Sequence, residues 1–403
     1  MRELFRKRRM WRKPATLKDS YDVVIIGAGA HGLATAYYLR EHGITNVAVL
    51  EKSYIGSGAA GRNTTILRSN YKTPQGARFY DASLKLYEGL SQDLDFNVMF
   101  SQIGHLTLAH TDRAAFVMAN RAEVNQLQDI DSSYIGRDEV QALAPAMNVS
   151  PDATYPIQGA LYHPPGGIIR HDAVVWGYAR GVDAGGAEIH PYTEVLGLDR
   201  ANGRIEAVRT NRGTVRAGVV LNCTAGWSTL INDMAGVPLP ITTHILQACV
   251  TEPVKPLLDV VIVSSQMHVY LSQTGRGEFV MGAEIEPWTT YRMQGTLNFL
   301  QDVTRHTLEL FPQLEHARIL RSWAGLCDLS PDYSPILGKT EVDNFHVSAG
   351  WGTYGFKAAP IVGKTLAELV ATGRTPELIA PFALERFYED DLVSELAAAA
   401  VSH

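Results

Sequence analysis

The sequence predicts an α/β protein, α+β overall, in which a domain with a parallel sheet is joined to a smaller domain built on antiparallel sheet. Near the N-terminus, an apolar stretch from Val23 to Ile26 is followed by a glycine-rich turn, a helical pattern from about His31 to Glu41 and a second apolar stretch from Val47 to Leu50. This order is typical of a βαβ unit with parallel strands. The stretch HVYLSQTGRGEFVMGAEIE instead alternates around a glycine-containing turn, which predicts an antiparallel hairpin. Because 403 residues exceed one compact core of ordinary size, we expect two domains.

Charge is divided unevenly along the chain. The formal net charge is −6, but the first fourteen residues, MRELFRKRRMWRKP, carry seven Arg or Lys against one Glu, so the remaining residues carry about −12. This acidic body argues against nucleic-acid binding by the main part of the chain. We expect the basic segment to be a solvated or partner-docking tail, with contact to an anionic surface or nucleic acid as the alternative.

The sequence shows no strong targeting or cross-linking signal. The basic segment is followed by ATLKDS, which does not fit a Sec or twin-arginine signal peptide, and no stretch approaches membrane-spanning length. Cys223, Cys249 and Cys327 are far apart and form no CxxC, so we expect neither a structural zinc site nor a disulfide framework. The sequence therefore predicts a cytoplasmic protein without a metal site or a membrane contact.

The turn after the first predicted strand has the spacing of a dinucleotide-binding fingerprint. In GxGxxG, Gly27 allows the tight turn, Gly29 lets backbone approach a pyrophosphate, and Gly32 lets the helix pack on the strand. The free N–H groups at the helix N-terminus favour phosphates. Glu51 follows the second strand, nineteen residues after Gly32, and can accept hydrogen bonds from ribose hydroxyls. Together these features predict a dinucleotide site.

The same glycine spacing recurs twice. Residues 56–61 (GSGAAG) have no adequate strand before them, so we expect a flexible loop that covers the cofactor, with a chance match in a surface loop as the alternative. Residues 350–355 (GWGTYG) lie between a strand and a helix, which would suit a second nucleotide site, but the chain ends without another βαβ unit. A C-terminal strand and helix that complete a flavin domain fit better, because that helix N-terminus would stabilise the negative charge of reduced flavin. One dinucleotide site remains, and it favours FAD over FAD plus NAD.

These segments resemble the β subunit of heterotetrameric sarcosine oxidase, within the superfamily of FAD-dependent amine and D-amino-acid oxidases. The resemblance runs from about Tyr21 to Phe387. It is carried by HGLATAYYLREHGITNVAVLEK, GRNTTILRSNY, SLKLYEGLSQDLDFNVMFSQIGHLTLAH, RHDAVVWGYAR, HVYLSQTGRGEFVMGA, GKTEVDNF and GWGTYGFKAAP. It implies an FAD-dependent oxidoreductase acting on CH–NH donors. Similar enzymes with this architecture include N-methylglutamate dehydrogenase and amino-acid dehydrogenases with other electron acceptors.

The resemblance also implies a discontinuous, Rossmann-like FAD-binding domain of the glutathione-reductase type, as in D-amino-acid oxidase, and a smaller antiparallel-sheet substrate domain. We expect the FAD-binding domain to comprise residues 20–95, 150–235 and 325–378. We expect the substrate domain to comprise residues 96–149 and 236–324, with a basic N-terminal tail over residues 1–19 and a C-terminal tail over residues 379–403.

Two cations match the positions at which this family binds the substrate carboxylate. Arg68 in NTTILRSNY offers a planar fork, and Lys357 stands at the start of the predicted C-terminal helix. From the residues alone, an Arg in a loop is more often a surface charge or ion-pair partner. A cation at a helix N-terminus is unfavourable for the dipole, so Lys357 suggests a role other than stability. The implied reaction removes hydride from the carbon beside nitrogen, the flavin accepts it, and the imine hydrolyses to glycine and formaldehyde if the substrate is sarcosine.

Other side chains near these motifs are candidates for the site. Tyr270 and His268 both lie in HVYLSQ, and we expect one of them to face the site and the other to face core or solvent; Tyr270 is the candidate catalytic residue. We expect Arg62 and Asn63 to reach the phosphate or ring atoms of the flavin, with a cap of the loop as the alternative. Val195, at the end of a predicted PYTEV strand, contacts adenine through its backbone or packs in the core. The other expected cofactor contacts are Ala30, His31, Lys52, Thr64, Gly352, Gly355 and Gly226, the last in a small-residue corner where backbone can approach the dinucleotide.

The resemblance assigns a second flavin to His171 in RHDAVVWGYAR: FMN attached covalently to this histidine, at the interface with another subunit, passes electrons to oxygen. Attack on the flavin 8α-methyl needs a free imidazole lone pair, and a helix N-terminus disfavours imidazolium. Asp172 is the predicted N-cap of a helix from Ala173 to Val182. A histidine that merely precedes an N-cap is the alternative. The chain departs from the family in Val175, where Ala is usual, and in GGII before Arg170, where GGVA is usual.

Four functions remain open from the sequence. The first, which we favour, is the catalytic β-like subunit of a hetero-oligomeric (αβγδ-like) sarcosine-type oxidase. The second is a sibling dehydrogenase for N-methylglutamate, proline or another amino acid with a non-oxygen acceptor. The third is a flavin-bearing assembly subunit with a silent site, and the fourth is a self-sufficient single-chain amine oxidase. No zinc or folate site is visible in the sequence, so such functions would belong to other subunits.

Overall fold

The computed structural model describes residues 10–12 and 14–395, except for the side chains of residues 283 and 284. The predicted N-terminal tail over residues 1–19 and C-terminal tail over residues 379–403 therefore lie partly outside the described residues. Among the described helices, none combines the length and the apolar character needed to cross a membrane.

Helices and strands alternate along the first half of the described chain, and strands dominate the second half. In chain order the α-helices are α1 (Ala30–Leu39), α2 (Pro74–Asp93), α3 (Asp112–Gln126), α4 (Arg137–Leu143), α5 (His171–Ala184), α6 (Ser228–Ala235), α7 (Leu297–Leu310), α8 (Ala359–Thr372) and α9 (Arg386–Glu389). The strands are β1 (Ser20–Ile26), β2 (Val47–Glu51), β3 (Ile66–Leu67), β4 (His105–Ala109), β5 (Ser133–Gly136), β6 (Gly159–His163), β7 (Gly167–Ile168), β8 (Glu188–Pro191), β9 (Val195–Ala201), β10 (Arg204–Thr210), β11 (Gly213–Asn222), β12 (Thr242–Thr251), β13 (Val261–Ser264), β14 (Val269–Gln273), β15 (Phe279–Ile285), β16 (Ile319–Leu329), β17 (Ile336–Lys339) and β18 (Phe345–Ala349).

The first sheet has a parallel centre. Its order is β17-β18-β11-β1-β2-β8, and β1 pairs in parallel with both β2 and β11. β18 and β8 extend this parallel arrangement on the two sides. The hairpin β10–β11 and strand β9 form an antiparallel extension. The βαβ unit predicted from the sequence is therefore present, although its helix ends at Leu39 and a 3₁₀ turn (Arg40–His42) replaces the last predicted residues.

The two faces of β1 are buried in different cores. Val23 and Ile25 pack with helices α1, α5 and α8, whereas Val24 and Ile26 pack with residues of β9, β11 and α6. Alternate side chains of a strand point to opposite faces, so burial on both faces requires the continuous apolar run that the sequence shows. This double burial fixes the end of β1, where the glycine turn begins.

The second sheet is mainly antiparallel, with the order β16-β12-β15-β14-β13-β4-β6-β5. The predicted hairpin is present as β14 and β15, and only the β4–β13 pair is parallel among the described strand pairs of this sheet. Helix α7 packs on β14 and β15 and buries Phe299 and Val303 in their core. The predicted fold class, an FAD-type α/β domain with an antiparallel partner sheet, agrees with this architecture.

Two strands differ from the predicted division of the chain. β6 pairs with β4 and β5 in the second sheet, although residues 150–235 are expected in the FAD-binding domain. β16 runs along β12 in the same sheet and crosses the expected boundary between residues 324 and 325. Short apolar runs such as GALYH suit either sheet, so their pairing is decided by tertiary contacts rather than by local pattern.

Candidate active site

One large cavity is lined from both sheets. Its walls include Ile26 and Leu50 at the ends of β1 and β2, and Leu246, Tyr270 and Leu326 from the second sheet. The ends of parallel strands in an α/β sheet are where such folds bind ligands. The predicted cofactor and substrate residues that line this cavity are Gly27, Gly29, Ala30, His31, Glu51, Lys52, Arg62, Asn63, Thr64, Arg68, Val195, Tyr270, Gly352, Gly355 and Lys357.

The glycine turn after β1 shapes one end of the cavity. Gly27 has φ 106°, a conformation that glycine adopts readily. Gly29 is the N-cap of α1, and a Cβ placed there would meet no heavy atom of the described residues within 4 Å. A Cβ at Gly32 would instead lie 2.0 Å from the carbonyl oxygen of Gly27, so this glycine is needed for helix packing. The open space at Gly29 and the N–H groups of the first turn of α1 suit a pyrophosphate.

Glu51 holds the glycine turn and reaches the same cavity. Its Oε2 accepts a hydrogen bond from the Ala28 amide (3.0 Å), and its Oε1 accepts one from the Ser53 amide (2.9 Å). The Lys52 ammonium lies 3.8 Å from the ring centroid of Trp227, which also lines the cavity. An acid at the end of the second strand, beside an uncapped glycine turn, is the arrangement that binds the ribose of a dinucleotide.

The second glycine-rich segment lines the cavity as well. It contains a 3₁₀ turn (Ala59–Gly61) rather than a long helix, as expected for a covering loop. The Trp323 indole on β16 donates to the Arg62 carbonyl (2.8 Å), and the Asn63 amide donates to the Ala60 carbonyl (2.5 Å). The Arg62 guanidinium donates back to the carbonyls of Ser57 and Gly58. The Trp323 bond attaches the covering loop to the second sheet, and the other bonds lie within the loop.

The third glycine-rich segment is joined to the first. His31 on α1 contacts the Gly355 carbonyl through Nε2 (2.6 Å) and the Ser348 hydroxyl through Nδ1 (3.0 Å). Burial lowers the pKa of His31 to about 4, so its ring is neutral at physiological pH. Asp328 accepts from the Gly350 amide (2.7 Å), and burial raises the pKa of this carboxyl to about 6. The C-terminal glycine loop thus faces the same cavity as the dinucleotide fingerprint.

Arg68 and Lys357 also line the cavity. Arg68 is 9% exposed, donates to the side-chain oxygen of Asn70 (3.0 Å) and lies 4.5 Å from the ring centroid of Tyr71. Lys357 is half-buried in a 3₁₀ turn (Phe356–Ala358) just before α8, rather than in the first turn of α8 itself. Burial, and then the charge of Arg68, hold the pKa of Lys357 well below its usual value. Two neighbouring cations in a cavity are a suitable site for a carboxylate.

Tyr270, rather than His268, faces the cavity. Tyr270 is 7% exposed in β14, and burial raises the pKa of its hydroxyl, which is hydrogen-bonded to Thr64. His268 lies in the turn before β14 with φ 48°. The Tyr270 hydroxyl therefore stays protonated and can donate or accept a hydrogen bond.

Two predicted local features differ in the structure. Val195 begins β9 and does not end a PYTEV strand, because the preceding strand stops at Pro191. Gly226 is not among the cavity-lining residues of the described chain; a Cβ there would lie 2.5 Å from the Cβ of Leu326, so this glycine serves packing. Its neighbours Thr224, Ala225 and Trp227 line the cavity instead.

His171 begins α5, outside the cavity lining found in the described chain. Arg170, not Asp172, is the N-cap residue, because the Asp172 carboxylate forms an ion pair with Arg170 (2.9 Å to its Nε) and accepts from the Ala173 amide. Burial lowers the pKa of His171, which keeps a lone pair free on its ring. The short strand β7 before α5 pairs with β3 before Arg68, so the segment that leads to His171 is hydrogen-bonded to the segment that leads to Arg68.

Several cavity residues were not predicted from the sequence. Trp227 follows Gly226, and Trp351 lies between two glycines of the third glycine-rich segment. Their positions next to recognised motifs could therefore have identified them from the sequence. Asp328, His105 and Arg121 gave no such signal, because they lie in an ordinary strand or helix far from the glycine motifs in sequence.

The chain is similar to known proteins over nearly its full length. A family model described as FAD dependent oxidoreductase matches residues 22–369. The sarcosine oxidase subunit beta of Rhodobacter capsulatus is 44% identical over 394 residues, which are 98% of this chain and 94% of that protein. The protein of the same name from Arthrobacter sp. is 43% identical over 98% of this chain and 97% of its own length. The crystal structure of L-proline dehydrogenase from P. horikoshii aligns with a TM-score of 0.88 and 30% identity, covering 94% of this chain and 100% of that chain.

Proposed function

Because the chain belongs to the family of FAD-dependent oxidoreductases and, within it, to that of the sarcosine oxidase β subunits, we propose that it oxidises sarcosine or a related secondary N-methyl amino acid. The observation that carries this proposal is the cavity itself, which is lined both by the dinucleotide fingerprint and by the two cations Arg68 and Lys357. This arrangement would hold an amino-acid carboxylate beyond the reactive end of a bound dinucleotide.

The residues of the cavity fit FAD. Gly27, Gly29 and the N-terminus of α1 would hold the pyrophosphate, and Glu51 the ribose. The covering loop and residues 350–355 would contact the ring system. Bound FAD would supply the two-electron acceptor for hydride from the carbon beside nitrogen.

The protein side chains would position the substrate and exclude water. Arg68 and Lys357 would bind the carboxylate, which fixes the substrate carbon and nitrogen relative to the ring system. The Tyr270 hydroxyl would contact the substrate on the side of the second sheet. After oxidation the imine would hydrolyse, giving glycine and formaldehyde when sarcosine is the substrate.

The relatives are named as subunits, so we propose that this chain also acts inside a hetero-oligomeric complex. In this arrangement FMN is bound covalently to His171 at a subunit interface, and electrons pass from FAD to FMN and then to oxygen. The position of His171 supports the proposal, because its helix lies outside the FAD cavity while β7 and β3 connect it to the Arg68 segment.

A dehydrogenase with a non-oxygen acceptor is the second candidate function. The similarity to L-proline dehydrogenase at 30% identity favours it, since the same fold serves an enzyme of that type. Both candidates share the amino-acid site and differ in the acceptor of the electrons.

The test is purification of the native complex, followed by anaerobic addition of sarcosine, N-methyl amino acids and proline. We expect sarcosine or an N-methyl amino acid to bleach the flavin absorbance, and readmitted oxygen to restore it within the turnover time. Restoration only by an artificial acceptor would favour the dehydrogenase. Absence of bleaching with every amine would contradict the proposed function and favour a silent assembly subunit.

A further inference from the structure

A group of buried polar side chains lies beside Arg68 and Lys357 but takes no part in the binding described above. His105, the first residue of β4, is 1% exposed and lines the cavity. Neither of its ring nitrogens has a hydrogen-bond partner among the described residues. A buried donor or acceptor left without a partner costs about 1–3 kcal/mol, so such a pair of atoms at a cavity wall points to a ligand.

Arg121 reaches the same part of the cavity from α3. It is 8% exposed, and its Nη2 donates to the Asn70 carbonyl, to which Arg68 also donates. Its Nε has no hydrogen-bond partner in the described chain. Asn125, one turn later on α3, donates to the Tyr71 carbonyl (2.8 Å) and so holds this helix against residues 70–71. The guanidinium is therefore held against residues 70–71, with its Nε–H group unused.

The charges around these two side chains determine what they can bind. Burial, and then the charges of Arg68, His163, Lys357 and Arg121, keep the pKa of His105 well below its usual value, so its ring is neutral. Burial and the charge of Arg68 lower the pKa of Arg121 to about 10, which leaves it charged at physiological pH. A neutral imidazole offers one N–H donor, and the guanidinium offers Nε–H beside a positive charge.

We propose that His105 and Arg121 form a second anion subsite next to the Arg68–Lys357 site, and that the preferred substrate is an N-alkyl amino acid with a second carboxylate. This inference rests on the proposed function. One carboxylate of the substrate binds Arg68 and Lys357. The second accepts from the Nε–H of Arg121 and from the N–H of His105, which satisfies both buried donors and offsets the repulsion between the two guanidinium groups.

The test compares two ligands that cannot be oxidised, acetate with one carboxylate and succinate with two, on the FAD-loaded protein at constant ionic strength. Binding is read from the perturbation of the flavin absorbance. We expect succinate to bind about tenfold more tightly than acetate, because its second carboxylate accepts charge-assisted hydrogen bonds that acetate cannot accept. Equal affinity of the two ligands for the unaltered protein would overturn the inference without any variant.

Variants then show which side chains cause the preference for succinate over acetate. Arg121→Met should abolish the advantage of succinate and leave the affinity for acetate within about twofold, and His105→Leu should reduce the advantage. Arg113→Met is the matched control, since Arg113 is an exposed residue of the same helix. A succinate preference that persists in Arg121→Met would also overturn the inference.

Substrate oxidation separates this inference from the proposed function. With the same protein, anaerobic flavin reduction by N-methyl-L-aspartate should have a higher kcat/KM than reduction by sarcosine. If sarcosine is the better substrate, the second subsite is wrong and the proposed function stands. If neither amine reduces the flavin, the proposed function itself fails.

Discussion

At the residue scale, the two cations of the proposed carboxylate site differ in how firmly they hold their charge. Arg68 carries a guanidinium, which stays protonated in proteins. Lys357 is half-buried beside Arg68, and both its burial and the charge of Arg68 favour its neutral form. The lysine is therefore the part of the site that responds to pH.

This difference predicts a pH dependence of anion binding. Because the pKa of Lys357 is lowered, its charge is present at low pH and is lost as pH rises through that pKa. We expect the dissociation constant of acetate to increase as pH rises, at pH values well below the ordinary lysine pKa of about 10.4. Acetate is used because it does not itself titrate at neutral or alkaline pH, and flavin absorbance provides the measurement. In Lys357→Arg the increase should disappear, since the guanidinium stays charged; a rise of the same size in that variant would contradict the assignment.

The residues of the cavity differ in whether a continuous sequence motif contains them. Gly27, Gly29, Glu51, Arg68 and Lys357 were found because they belong to continuous motifs, and all of them line one cavity. His105 and Arg121 have no local motif. They join the cavity only because β4 and α3 pack beside the Arg68 segment, which is a tertiary contact with no signal in the local pattern.

At the element scale, the two glycines at the start of α1 have different roles, one in ligand binding and the other in helix packing. Gly29 borders open space, whereas Gly32 is in contact with the Gly27 carbonyl. Two substitutions of the same kind should therefore have different effects.

For Gly29→Ala we expect FAD to bind at least about tenfold more weakly, because the added methyl group occupies the space through which the backbone approaches the pyrophosphate. The apoprotein should keep its thermal stability. For Gly32→Ala we expect a loss of about 1–3 kcal/mol in the free energy of unfolding, because the helix must move away from the turn. FAD titration of the apoprotein and thermal denaturation measure the two quantities. Equal destabilisation by both substitutions would show that Gly29 also has a packing role.

Most elements of the fold were predictable because their patterns are local. The β1-α1-β2 unit and the β14–β15 hairpin follow from apolar periodicity and turn residues. The predicted cap of α5 was wrong, because Asp172 pairs with Arg170 instead of bonding the helix amides two or three residues ahead. Competition between a cap and a neighbouring charge is decided by side-chain geometry, which the sequence pattern does not contain.

At the scale of the whole molecule, the predicted enzyme class, an FAD-dependent oxidoreductase acting on CH–NH donors, is confirmed by the family match and by the identity to the sarcosine oxidase β subunits. The resemblance to that family is confirmed as well. The partner subunits, the covalent FMN, the domain boundaries and the cytoplasmic location stay predictions.

The covalent flavin has a direct test in the assembled complex. After acid treatment and denaturing electrophoresis, we expect the band of this chain to fluoresce under ultraviolet light, because a covalent bond to His171 survives denaturation. His171→Ala should lose the fluorescence, whereas His42→Ala, at an exposed histidine, should keep it. A dark band from the unaltered complex, or fluorescence in His171→Ala, would exclude attachment at this residue.

The proposed function requires that this chain binds an amino-acid carboxylate through Arg68 and oxidises the adjoining C–N bond. The most direct measurement is the rate of anaerobic flavin reduction as a function of sarcosine concentration in the purified complex. We expect saturable bleaching in the unaltered protein and a concentration for half-maximal rate that rises about a hundredfold or more in Arg68→Ala, since truncating one partner of a buried, hydrogen-bonded charge pair costs about 2–5 kcal/mol of binding free energy. Arg78→Ala, at an exposed arginine of α2, should leave that concentration unchanged. An unchanged half-saturating concentration in Arg68→Ala would contradict the account.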